Sequence, residues 1–146
     1  MAELPRWQDL PDFELYMDQV LSLMGRYLGV EGGALTASMV NNYVKMGAVP
    51  APNKKRYGRS HLVRLIVICV LKSVLPLGAI GKLLEYGLAG HSDEEFYMDF
   101  RDQLLAVQDE LSGTYRQDDR TVASLLHAAL RAQAEQQIAV RLCEEL

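Results

Sequence analysis

The sequence predicts an all-α protein, and three observations carry that reading. Apolar residues recur at spacings of three and four through most of the chain, Ser, Thr and Asp stand where helices would begin, and glycines stand where they would end. The main interruption, residues 48–58, holds Pro50 and Pro52 and then Lys54, Lys55 and Arg56, which leaves room for a small two-strand wing. With 49% hydrophobic and 23% charged residues in 146, the chain suits a soluble globule with its own core rather than a disordered polymer.

The elements follow in order. Asp12 is placed to cap a first helix over residues 13–28, with Phe13, Tyr16, Met17, Val20, Leu21, Met24 and Leu28 inward and Gly29 as its stop. A glycine-dense turn over residues 29–35 leads to Thr36, the cap of a short helix through Met39, Val40, Tyr43 and Val44 that ends at Gly47. Ser60 caps a helix reaching about Val74, whose Leu62, Leu65, Ile66, Cys69 and Val70 form its buried face while Arg64, Ile68 and Lys72 share another side. Pro76 ends that helix or starts the next, a shorter one carrying Leu77, Ile80, Leu83 and Leu84 and closed by Gly87 and Gly90. Ser92 and Glu95 make a capping box for a helix to about Leu111, broken by Gly113. A last helix begins near Asp118 or Asp119 and holds Val122, Leu125, Leu126, Leu130, Ile138 and Leu142. We divide the chain into residues 1–90 and a helical unit of residues 91–146, expected to dimerise or to receive a partner or effector.

Charge points to a function. Residues 32–84 contain no Asp or Glu, yet they carry Lys45, Lys54, Lys55, Arg56, Arg59, Arg64, Lys72 and Lys82, a formal +8 inside a chain of net −4. Such segregation makes this stretch a candidate surface for a polyanion, and nucleic acid is the commonest one. A three-turn helix fits a major groove, Asn41 and Asn42 each offer an amide able to pair with adenine, and Lys54, Lys55 and Arg56 suit phosphate oxygens.

The run Met39-Val40-Asn41-Asn42-Tyr43-Val44-Lys45-Met46-Gly47, followed by the prolines, Lys55-Arg56-Tyr57, Leu62, Leu65, Ile68 and then Leu77, Ile80, Leu83 and Leu84, resembles the winged helix-turn-helix of MerR-type transcriptional regulators. More narrowly, the chain resembles a bacterial family of MerR-like helical proteins of unknown function labelled as transcriptional regulators. The resemblance implies a DNA-binding regulator that pairs through helices after its DNA-binding domain. The DNA-facing residues are then Thr36, Ser38, Asn41, Asn42, Lys45, Lys54, Lys55, Arg56, Tyr57, Arg59 and Arg64. Asn41 and Asn42 stand where such recognition helices carry Arg and then Tyr, so the base contacts cannot be copied from that family. Tyr57 can offer its hydroxyl to a phosphate or anchor the wing in the core.

Other chemistries find less support. His61, His91 and His127 fit no metal spacing, Cys69 and Cys143 lack CxxC companions, and no Ser or Cys stands beside a His at a turn. We therefore expect no enzyme, no metal and no cofactor. The early acids and the absence of an apolar leader or a 20-residue apolar run imply a cytoplasmic protein without a membrane span. The competing reading is a protein-interaction module that keeps this fold and docks its basic face on an acidic partner.

Overall fold

The structure is a computed structural model that describes residues 3–29, 35–114 and 121–146, and it is all-helical there. A single 3-10 turn at Trp7–Asp9 precedes α1 (Met17–Leu28), α2 (Ala37–Lys45), α3 (Arg59–Leu71), α4 (Leu77–Leu88), α5 (Asp93–Ser112) and α6 (Val122–Glu144). Among the described residues no strand forms, and the backbone between α2 and α3 makes only isolated bridges. No helix among them is long and apolar enough to cross a membrane.

α3 is the axis of the core. Its buried positions are Leu62, Val63, Leu65, Ile66, Val67, Ile68 and Cys69, so apolar side chains face inward all round it, with α1, α4 and α5 packed against it. Ile68 is fully buried, which splits Arg64 from Lys72 and removes the shared basic side expected there. The helix opens at Gly58 rather than Ser60, with the His61 ring taking the Gly58 N–H.

The first helix starts four residues later than the sequence suggests. Leu15 exchanges two backbone hydrogen bonds of 2.8 Å with Tyr57, which keeps residues 14–16 out of the helix until Tyr16 takes the cap position of α1. Phe13 and Tyr16 are consequently exposed, at 64% and 54%, instead of joining the core.

The N-terminal segment straps the far end of the molecule. Tyr97 of α5 is fully buried and donates its hydroxyl to the Pro5 carbonyl at 2.6 Å, while Arg101 Nε donates to the Leu4 carbonyl at 3.0 Å. The hydrophobic core thus runs continuously across residue 90 and includes both Tyr97 and Cys143. Gly87 permits this packing, since a Cβ there would lie 2.5 Å from the Phe96 ring.

The Ser92–Glu95 capping box forms as the sequence implies, with reciprocal bonds of 3.1 Å. α6 is capped by Thr121, and Asp118 and Asp119, expected near its start, lie outside the described residues, as does the turn at residues 30–34. Among the described residues, α6 packs on the core through its last third, at Ala139, Val140 and Cys143. Val122, Leu125, Leu126 and Leu130 remain more than half exposed on its first half.

Candidate functional site

α2 begins where Thr36 Oγ1 accepts the Met39 N–H at 3.2 Å. Val40 and Tyr43, at 0% and 6% exposure, commit one face of this helix to the core. The opposite face follows from the helical period: Ser38, Asn41, Asn42 and Lys45, spaced i, i+3, i+4 and i+7, are all exposed together. Nine residues make a rod of about 14 Å. Asn42 Nδ2 lies 3.6 Å from Met46 Sδ, a weak contact that leaves the amide available to stronger partners.

Beyond α2 the Ala48 and Val49 amides both donate to the Tyr43 carbonyl, at 3.0 and 3.2 Å, which turns the chain back onto the core. It then leaves again as a tight turn. Asn53 and Arg56 exchange backbone hydrogen bonds of 3.1 and 2.9 Å, with Lys54 and Lys55 between them at φ of 50° and 65°. Positive φ at both central residues is the requirement of a two-residue type I′ hairpin turn, where Asn and Gly are the favoured occupants. Two lysines held there store backbone strain at an exposed point of the basic stretch.

His61 fixes the root of this turn. Its Nδ1 accepts from the Gly58 N–H at 3.0 Å, and its Nε2 lies 3.3 Å from the Ala51 carbonyl, so one ring holds both limbs to α3. The Tyr57 ring meets it edge-on at 5.3 Å.

The expected site residues therefore fall into separate sets. Ser38, Asn41, Asn42, Lys45, Lys54, Lys55 and Arg56 are exposed, and Thr36 serves as the cap of α2. Tyr57 is 3% exposed and burial pushes its phenol up, so it is the anchor of the turn rather than a phosphate contact. Arg59 donates Nη2 to the Leu10 carbonyl at 3.0 Å, with its guanidinium 5.0 Å from the Trp7 ring centroid, and so clamps the N-terminal strap. Arg64 turns back on its own helix, donating Nη1 to the Ser60 carbonyl at 2.8 Å and lying 3.4 Å from Asp93. Both arginines serve internal contacts that the sequence pattern does not disclose.

The structure adds two residues that helical spacing had sent inward. Arg56 lies 5.9 Å from the ring centroid of Tyr16, and exposed Phe13 stands at the bend just before it. Asp12, Glu14 and Asp18 are exposed there too, so the basic surface ends at this edge. The pairing of Leu15 with Tyr57, distant in sequence, is what brings this segment to the turn.

Chemically, the surface offers two amides with both donors and acceptors, a hydroxyl, and four cations with no carboxylate between them in sequence. Neither the curated proteins nor the solved structures searched give a match to the chain. The family model described as "Domain of unknown function (DUF1836)" matches residues 5–109, which carry α1 through most of α5 and the whole exposed surface above, and the chain belongs to that family.

Proposed function

We propose that this protein is a DNA-binding transcriptional regulator, reading duplex DNA through α2 and gripping the flanking phosphates with the turn at Lys54, Lys55 and Arg56. The observation that carries the reading is the single outward face of Ser38, Asn41, Asn42 and Lys45 on a helix of groove-fitting length, inside a stretch without carboxylates. The order of short helix, tight basic turn and two further helices supports the resemblance to MerR-type winged helix-turn-helix regulators. One such helix reads too few base pairs to select a site in a genome, and the bare apolar stripe of α6 offers a means to pair two copies. The working species is a homodimer on two half-sites.

Selection of bound fragments from a random duplex pool tests the reading directly. The expected result is an enriched sequence, with an affinity that falls steeply with salt because bound counterions are released. Absence of any enriched sequence at moderate salt overturns it. A chain that ignores DNA and instead retains an acidic protein partner would favour the interaction-module reading.

A further inference from the structure

We infer that the groove between the exit of α2 and the exposed side of α4 binds a small amphipathic anion, an apolar body bearing one carboxylate, sulfonate or phosphate; its regulatory meaning rests on the DNA-binding reading. The groove is open on one side and has a volume of about 620 Å³, enough for a small molecule. Met46 and Pro50 form one wall, and Leu77, Leu84 and Leu88 form the other.

Two glycines line it on the α4 side. Gly78 and Gly81 each weaken α4 relative to alanine, yet a Cβ at either would meet no atom within 4 Å. Gly87 on the same helix differs, because the Phe96 ring requires it. Nothing among the described residues requires the first two, and their effect is an open strip of helix backbone that a flat ligand can approach closely.

Charge sets the sign of the ligand. Arg64 and Lys82 both line the groove, against one carboxylate, Glu85. Lys82 donates to the Cys143 carbonyl at 3.3 Å and has two further protons to offer, while Arg64 stays engaged by Ser60 and Asp93, so Lys82 is the donor left for a head group. An apolar body on the leucines with an anionic head at Lys82 satisfies the lining. Such a ligand touches the residues joining α2 to the basic turn, together with the helix on which α6 rests. Occupancy would thus fix the angle at which α2 is presented, and DNA affinity would respond.

The probe is 8-anilinonaphthalene-1-sulfonate, titrated into the full chain by fluorescence, with decanoate as a competitor. We expect saturable binding at one site per chain, displaced by decanoate. Gly78→Leu and Gly81→Leu, which fill the groove on an intact helix, should each weaken it at least tenfold, and Lys82→Gln severalfold. Leu125→Gln with Leu126→Gln, on the bare stripe of α6, should leave it unchanged. The probe should also shift DNA affinity of the parent chain at least threefold and leave that of Gly81→Leu alone. Fluorescence that survives both glycine variants and disappears in the α6 variant overturns the site. Glycine variants that alter sedimentation with no effect on the probe also overturn it, by making the groove an interface between copies. A chain that binds the probe in the groove but no DNA supports the site and overturns the DNA reading instead.

Discussion

Lys54 and Lys55 occupy backbone positions that favour glycine or asparagine, so affinity and stability should move in opposite directions when they are replaced. The left-handed conformation costs a side-chain-bearing residue roughly 1–2 kcal/mol, partly offset in a glycine variant by the added freedom of its unfolded chain. Lys55→Gly should therefore gain about 0.5–1 kcal/mol in urea unfolding. The same variant should bind every duplex more weakly and lose about one ion from the salt slope. Unchanged binding and slope in Lys54→Gly and Lys55→Gly alike would remove the turn from the interface. Tyr97 gives a second prediction at this scale. Burial pushes its phenol up to about 12, from an ordinary 10, so its neutral form is favoured in the folded state and the stability it adds is complete below pH 10 and lost as pH rises through 12. Tyr97→Phe loses the bond to the Pro5 carbonyl and should cost about 1–2 kcal/mol at neutral pH. The gap between parent and variant should narrow by roughly 1 kcal/mol at pH 11, where the unfolded tyrosine of the parent ionises and phenylalanine cannot. A gap independent of pH would place the ionisation elsewhere.

Among the elements, α2 is tied to the core by buried Val40 and Tyr43 with Met39 and Val44 beside them, which leaves its outer face free to vary without loss of fold. Asn41→Ala or Asn42→Ala should then leave the melting temperature nearly unchanged while costing about 1–3 kcal/mol on the best DNA site and little on random DNA. A uniform loss on all sequences would make them backbone contacts, and no loss would put α2 outside the groove. The α4–α5 contact behaves in the opposite way. Gly87→Ala brings a methyl to the Phe96 ring, 2.5 Å from its edge, and overpacking of this kind should cost about 1–3 kcal/mol. Alanine at Gly78 or Gly81 meets open space and should stabilise the fold by about 1 kcal/mol through helix propensity. Thermal unfolding of the three variants checks both statements.

For the whole molecule, the core crosses residue 90, so α5 and the end of α6 belong to the same packed body as the basic surface. A truncation there would expose the cavity of Tyr97, and the dimer is better tested in the full chain. Leu125 and Leu126 are 68% and 55% exposed, so replacing both by Gln costs the monomer little. The parent chain should sediment near twice its 16.4 kDa and the double variant near 16.4 kDa, with DNA affinity falling sharply in parallel. A parent chain that stays monomeric at tens of micromolar, with and without DNA, removes the dimer and makes the stripe a docking surface for another protein.

The sequence by itself determined the helices wherever a local signal sufficed: the Thr36 cap of α2, the Ser92–Glu95 box of α5, and the alternation that sends Val40 and Tyr43 inward and leaves Asn41 and Asn42 outside. It also determined the acid-free charge pattern, which no folding can alter. Tertiary structure alone decided which basic residues are free. Arg59 looks like Lys54 and Arg56 in the sequence, but it meets Leu10 and Trp7, and the neighbouring Tyr57 pairs with Leu15, all of them far along the chain. The same pairing cancels the first turn of the expected helix and exposes Tyr16, since two backbone bonds at a fixed register outweigh a helical spacing that has no partner surface to satisfy.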